Sequence, residues 1–267
     1  MPDTHRIKPN EPIRMANLAT RADEFHDNRK AAEKEFRKLR DEFVEWQVKL
    51  YSEHQQKLLI VLQAMDAGGK DGTIRKVLQG VNPQGVRVSS FKKPTHQELD
   101  RDFLWRVHKQ VPGKGMIRVF NRSHYEDVLV VRVHNYVPQS VWEPRFEHIN
   151  DFEQTLHESG TRILKFYLHI SLDEQKQRFQ DRLDEPTKHW KFDSEDLEKR
   201  KFWPQYMEAF EDVLNLTSTD YAPWYAIPAD QKWYRNMAIA RVIVATIRDM
   251  NPQYPTQTDD LSKIVIE

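Results

Sequence analysis

The amino-acid sequence predicts an α/β fold, a parallel sheet covered by helices on both faces, and three observations carry that expectation. Short apolar or alternating runs recur along the chain with helical patterns between them, as strand–helix–strand connections require. One of these runs leads into "MDAGGKDGTI", where three of the eight glycines, Gly68, Gly69 and Gly72, fall within five positions around Lys70. At 267 residues the chain can form one large α/β domain or two small ones with a substantial core. Parallel connections in such a sheet are expected to be right-handed.

The elements follow in order. Residues 1–20 read as an extended arm. Over 21–54, Phe36, Leu39, Phe43, Trp46 and Leu50 step by three and four, one apolar helical stripe. That stripe fits packing on the chain's own core or a dimer contact. "KLLIVLQ" (57–63) is a short buried strand, and "GTIRKVLQGV" opens a helix. "GVRVSSF" (85–91) is a strand, "THQELDRDFLWRVHKQV" (95–111) a helix and "GMIRVF" (115–120) a strand. Helical patterning returns near 151–158, and "RILKFYLHI" (162–170) is the next strand. "SLDEQKQRFQDRLDEP" is a helix in which Ser171 and Glu174 have the spacing of a capping box. "WYAIPA" (224–229) is the last strand, before the apolar helix "NMAIARVIVATI". The chain thus divides into an arm and amphipathic helix (1–54), a core (55–250) and a C-terminal extension (251–267).

Composition removes several function classes. Forty-one basic residues balance 41 acidic ones, so net charge gives no general reason to bind nucleic acid or an anionic membrane, and no nucleic-acid recognition motif is present. With no cysteine, disulfides, thiol catalysis and thiolate metal sites are excluded. The polar first fifteen residues lack an apolar signal core, and no run approaches the roughly 18 to 20 apolar residues of a membrane span. A cytoplasmic enzyme-sized domain is expected.

The glycine cluster is the first chemical signal. It follows a buried strand and opens a helix, the setting in which a glycine-rich turn cradles phosphate. Glycine permits positive φ and close approach of N–H groups to an anion, and the helix N-terminus favours negative charge. Against G-x-x-x-x-G-K-S/T, Ala64 replaces the first glycine, Asp71 replaces the hydroxyl, and Thr73 comes two residues late. Asp66 inside the loop would repel phosphate unless a cation such as Mg²⁺ bridges them. Gly68, Gly69, Lys70, Gly72 and Thr73 are the phosphate-binding candidates here.

A second signal follows "GMIRVF": Asn121, Arg122, Ser123, His124, Tyr125, Glu126 and Asp127 stand at the C-terminal end of a strand, where ligand sites of open α/β sheets lie. Glu126 and Asp127 could bind metal. His124 reads as a general base or as a hydrogen-bonded structural histidine. A third is basic. Arg178 and Arg182 share a helix face, and Lys188, Trp190 and Lys191 follow, so a lid over phosphate at about 171–200 competes with an exposed, salt-bridged helix. Lys92, Lys93, Arg101 and Arg106 form another basic group, at an acceptor site or on a solvated face. Trp105, Trp190 and Trp203 could stack on a base or pack.

"MDAGGKDGTI", "FLWRVHKQVP", "FNRSHYEDV" and "DEPTKHWKF" together resemble the second family of polyphosphate kinases, over roughly residues 35–248. The resemblance implies a P-loop kinase fold like that of thymidylate kinase, with a five-stranded parallel sheet and a helical lid. It implies phosphoryl transfer between inorganic polyphosphate and a nucleotide with Mg²⁺ or Mn²⁺, and a homodimer or homotetramer. Asp66 and Lys70 match the family's loop acid and lysine. Many members read D-R-S-W-Y-N-R at the second motif, so Asn121 departs from the pattern and Glu126 adds an acid five residues later. That version looks like the subgroup accepting AMP and ADP, and the guanine nucleotides GMP and GDP are expected to be taken as well.

The expected roles follow. Asp66, Lys70, Asn121, Arg122 and Glu126 are catalytic, and Asp66 and Glu126 hold metal. Lys70, Arg178, Arg182 and Lys191 bind polyphosphate with the loop, while Lys93 and Arg106 meet the acceptor nucleotide. Two rivals remain at this point: an ATP-dependent P-loop kinase, and a non-catalytic phosphate or nucleotide sensor.

Overall fold

Leu58, Ile60 and Leu62 fall in one hydrophobic core while Leu59 and Val61 fall in another, so the first core strand is apolar on both faces and buried between two layers. A computed structural model of the chain describes residues 3–257, 261 and 266. Its strands are β1 (Arg6–Ile7), β2 (Lys57–Gln63), β3 (Val86–Ser90), β4 (Ile117–Asn121), β5 (Thr161–His169) and β6 (Trp224–Pro228), in the order β1-β6-β5-β2-β4-β3. The five strands expected from sequence pair in parallel. The expected count of five is corrected to six, because β1 from the N-terminal arm adds antiparallel to β6. Ile7 is buried there, which closes an otherwise open sheet edge.

The helices are α1 (Arg29–Glu53), α2 (Lys70–Val77), four one-turn helices α3 (His96–Leu99), α4 (Trp105–His108), α5 (Val130–Val133) and α6 (Gln139–Trp142), then α7 (Arg145–Glu158), α8 (Leu172–Asp184), α9 (Ser194–Arg200), α10 (Trp203–Thr217) and α11 (Lys232–Met250). The α1 stripe packs inward: Phe43 and Leu50 are buried in the core shared with α11, and Phe36, Leu39 and Trp46 pack against it. Glu35 and Glu42 on α1 each take two hydrogen bonds from an arginine of α11, Arg241 and Arg248. The single helix expected over 95–111 is two turns with a break. Asp102 Oδ1 accepts from Leu104 N at 3.0 Å and starts the second turn anew. Four helices, α5, α6, α9 and α10, have no counterpart of their own in the sequence reading, although in α10 Tyr206, Phe210, Val213, Leu214 and Thr217 repeat at helical spacing.

β2 is the switch point of the sheet. The chain leaves it toward β3 and β4 on one side and returns to β5 and β6 on the other, so a crevice opens at the carboxyl ends of β2, β4 and β5. The lid expected over 171–200 corresponds to α8, a 3-10 turn at Pro186–Lys191, and α9. Beyond α11 the chain is irregular over 251–257, and the rest of the expected extension lies outside the described residues apart from 261 and 266. Among the described residues no helix is long and apolar enough to cross a membrane.

Candidate active site

Glycine is demanded at two loop positions. A Cβ on Gly68 would sit 2.5 Å from Ala64 Cβ and 2.8 Å from the Met65 carbonyl oxygen. Gly69 caps α2 with φ +101°, and a Cβ there would lie 2.0 Å from Arg235 Nη1. Gly72 meets no such constraint, its nearest neighbour being Arg235 Nη2 at 3.7 Å. The loop is gripped from outside at three consecutive carbonyls. Asp66 O accepts from Gln175 Nε2 at 2.9 Å, Ala67 O from Arg178 Nη1 at 2.9 Å, and Gly68 O from Arg235 Nη1 at 3.5 Å. These bonds fix three peptide groups beside the N-terminus of α2, whose first N–H groups have no intrahelical acceptor.

Lys70 is 8% exposed and donates to Ala64 O at 2.8 Å. Burial, with Arg122 nearby, lowers its pKa to about 8 against the opposing pull of Asp66, Glu126 and Asp71. Asp66 receives Arg122 Nη2 at 2.6 Å and Lys199 Nζ at 3.4 Å. Burial pushes the Asp66 carboxyl up, but Arg122, Lys70 and Lys199 outweigh it and hold it below the ordinary carboxylate value. Arg122 adopts φ +61°, which turns its side chain back toward the loop while Ser123, His124 and Tyr125 turn into the core.

Asn121 does not face Asp66. Its Nδ2 donates to Asp71 Oδ1 at 2.6 Å. Two departures from common P-loop patterns therefore satisfy each other, since an aspartate at 121 would oppose Asp71 with like charge. Glu126 lies at the same site, its pKa raised by burial against the opposing influence of Arg122 and Lys70. The Gln63 amide satisfies both neighbours when its nitrogen faces Glu126 Oε1 at 3.0 Å and its oxygen accepts from Ser123 Oγ and N.

The inward half of this segment is anchored behind β5. Lys165 Nζ donates to Glu153 Oε2 at 2.5 Å, to Tyr125 Oη at 2.9 Å and to Thr217 O at 2.6 Å, using all three donors. Tyr125 Oη donates to Glu153 Oε1 at 2.9 Å, and His124 Nε2 lies 3.2 Å from the same oxygen. His124 is thus the structural histidine and not a base in the crevice; burial lowers its pKa. Nothing in local spacing announced Lys165 or Glu153 as partners.

Several expected ligands sit elsewhere. Thr73 is 1% exposed and lines an apolar cavity with Ile60, Leu62, Val119 and Ile243, because two residues of helix turn it from the loop toward the core. Its assignment to phosphate is corrected on that ground. Arg178 spends its guanidinium on Glu174 and on the Ala67, Ala229 and Asp230 carbonyls, so it braces the loop. The expected capping box is half formed: Ser171 Oγ accepts from Glu174 N, while the Glu174 carboxylate turns to Arg178. Arg182 donates to the Lys191 carbonyl at 3.0 Å and meets Asp196 at 3.4 Å, and the Lys191 side chain is exposed. Arg106 is bracketed by Lys92 O, Glu98 and Asp127, and Lys93 is exposed. The sequence reading missed Lys199, Asp196 and Arg235. Arg235 is buried under Gly69 with only Asn236 Oδ1 and the Gly68 carbonyl as hydrogen-bond partners among the described residues, and burial lowers its pKa to about 9.

A loop lysine, the arginine that follows β4 and a lysine of α9 thus converge on Asp66 at the carboxyl edge of the parallel strands. The family model for polyphosphate kinase 2 matches residues 26–255. The chain belongs to the polyphosphate kinase 2 family. This polyphosphate kinase 2 chain is 61% identical over 218 residues to an AMP/ADP-polyphosphate phosphotransferase of Meiothermus ruber, covering 82% of each. It is 42% identical to an ADP-polyphosphate phosphotransferase of Rhodopseudomonas palustris, over 98% of this chain and 95% of that one. Its structure matches a polyphosphate kinase 2 crystal structure from Arthrobacter aurescens with a TM-score of 0.92 at 38% identity, covering 96% and 92% of the two chains.

Among the described residues no group of three or more histidine, aspartate or glutamate side chains is arranged to hold a metal alone. The carboxylates of Asp66 and Glu126 are hard oxygen donors, and burial leaves Glu126 short of compensating positive charge. That donor set fits Mg²⁺ or Mn²⁺, which commonly take one or two carboxylates and complete the shell with water and substrate phosphate.

Proposed function

We propose that the chain transfers the terminal phosphoryl group of inorganic polyphosphate reversibly to AMP and ADP, and to GMP and GDP, giving the di- and triphosphates in the cytoplasm. The observation that carries this reading is the convergence of Lys70, Arg122 and Lys199 around Asp66, cations supplied by loop, sheet and lid to one point. The names of the relatives and the N-R-S-H-Y-E-D segment support polyphosphate as donor and both nucleotides as acceptors.

Both substrates are polyanions, so their approach needs fixed positive charge more than covalent help from the protein. Lys70 gives up its carbonyl partner for a phosphoryl oxygen near the α2 N-terminus. Arg122, freed from Asp66, takes a second oxygen, and buried Arg235 adds positive potential beneath the loop. Asp66 and Glu126 would hold Mg²⁺ or Mn²⁺, which when bound neutralises phosphate charge. No side-chain base is needed, because the attacking oxygen of AMP or ADP is already ionised. Lys199, on α9, pairs with Asp66 and holds that helix over the site, excluding water. Asn121 keeps Asp71 paired and away from the phosphates. A homodimer or homotetramer belongs to the same reading and is checked by light scattering.

The test is a single assay of purified protein with Mg²⁺, long-chain polyphosphate and AMP or ADP, read by nucleotide chromatography. ATP from ADP, with ADP appearing first from AMP, is expected. Transfer that requires ATP in place of polyphosphate would overturn the donor assignment.

A further inference from the structure

Two of the three tryptophans that the sequence offers for base stacking are already taken up by packing or by cations. Trp203 packs against the cores on both faces of the sheet. The Trp105 ring already carries Arg101 Cζ at 4.3 Å and Lys109 Nζ at 3.1 Å. Trp190 is 79% exposed on the lid turn, with the Lys191 ammonium 4.9 Å from its ring. A different exposed aromatic is joined by a chain of contacts to the Lys199–Asp66 pair. Tyr136 follows α5, where Asn135 at φ +52° turns the chain outward, and the residue is 68% exposed. Its ring stacks on His134, centroids 5.6 Å apart at 22°.

His134 is itself held firmly. Its Nε2 lies 3.0 Å from Tyr206 Oη, and Phe202 packs edge-on against it at 5.2 Å. Phe202 is joined to Lys199 by a backbone hydrogen bond of 3.0 Å, and Lys199 reaches Asp66 at 3.4 Å. One short run from the end of α9 into α10, residues 199–206, therefore links the stacked pair to the site around Asp66. A flat, exposed ring, backed by a second ring of fixed orientation and connected through His134 and Phe202 to the Lys199–Asp66 pair, suits an aromatic heterocycle that carries phosphate.

We propose that Tyr136, stacked on His134, is the platform for the base of the acceptor nucleotide. The assignment rests on the nucleotide-kinase reading above and adds a subsite to it. Stacking is indifferent to the hydrogen-bonding edge of the base, so such a platform accepts adenine and guanine alike. It also places base recognition beside the lid, so nucleotide binding and lid position are coupled through Phe202 and Lys199.

The test compares the parent with Tyr136→Ala, Tyr136→Phe and Trp190→Ala, all at exposed positions where folding is not at stake. Calorimetry without donor gives Kd for ADP and for inorganic tripolyphosphate, and steady-state kinetics gives kcat and both KM values. Tyr136→Ala is expected to raise Kd and KM for ADP about ten-fold, the loss of one stacking contact. Its tripolyphosphate Kd should stay at the parent value, and Tyr136→Phe should restore ADP binding. Unchanged ADP affinity in Tyr136→Ala, or the same loss in Trp190→Ala instead, overturns the platform. A parent that binds ADP through Tyr136 yet transfers nothing from polyphosphate overturns the donor assignment and leaves the platform standing; a parent that does not bind ADP overturns the platform.

Discussion

Lys70 carries the largest single expectation at the scale of one residue. It is buried, it rests on a backbone carbonyl, and no carboxylate pairs with it directly among the described residues. Lys70→Ala should lower kcat on the order of 10²-fold or more, as losing a preorganised charge stabiliser does. The melting temperature should hold, because removing an ammonium that burial disfavours costs the fold little. Asn121→Asp tests the pairing of the two unusual residues: a second carboxylate would face Asp71 at the distance of the present 2.6 Å bond. Turnover should fall, and Asn121→Asp combined with Asp71→Asn should recover part of it. A double-variant loss equal to the sum of the two single losses would show that the pair does not act together. Gly69→Ala forces a Cβ against Arg235 at a left-handed φ, so loss of phosphate binding and of stability is expected together.

At the scale of an element, the segment from β4 to α5 is positioned from behind. Arg122 and Glu126 face the crevice because His124 and Tyr125 are tied to Glu153 and Lys165 on the other side. Glu153→Gln leaves Lys165 buried without a counter-charge and should cost about 3 to 5 kcal/mol in denaturant unfolding. Adding Lys165→Met to that variant should recover a large share, since no charge is then buried alone. An additive double variant, less stable than either single one, would sink this account of the pair. Arg182, Asp196, Lys199 and Asp66 form one chain of ion pairs that runs from α8 through α9 to the loop.

At the scale of the whole molecule, acid stability follows from buried histidines. Burial lowers the pKa of His169 from 6.5 to about 4, and that of His5 to about 4 as well. Between those values the unfolded chain binds the proton and the folded chain does not. Stability is therefore complete above pH 6.5 and is lost as pH falls toward 4. For His169, 5% exposed, the loss amounts to roughly 3 kcal/mol. Thermal melts from pH 7 to pH 4.5 should show the decline, and His169→Gln should melt with a shallower slope. An identical slope in the variant would assign the acid sensitivity to other groups.

Local pattern made much of this molecule legible. The five parallel strands, the α1 stripe and the glycine loop are written in periods of two and 3.6 and in the punctuation of glycine, all signals of a few residues' range. The residues around Asp66 were half legible for the same reason: Asp66, Lys70 and Arg122 belong to short motifs that follow strands. The rest depended on pairings across the chain that no spacing encodes. Asn121 finds Asp71 50 residues away, Arg235 reaches Gly68 across 167, and Lys199 meets Asp66 only because α9 folds over the crevice. Thr73 sits in a phosphate-loop motif, yet helix rotation turns it into the core. The arm's Arg6–Ile7 is too short to read as a strand until β6 offers its edge. The sequence by itself determined the five parallel strands, the main helices beside them and the glycine loop, because hydrophobic period and backbone freedom are local properties. Only the tertiary structure decided which cation meets which carboxylate, because a buried charge takes its partner from whatever the packed layers bring within reach.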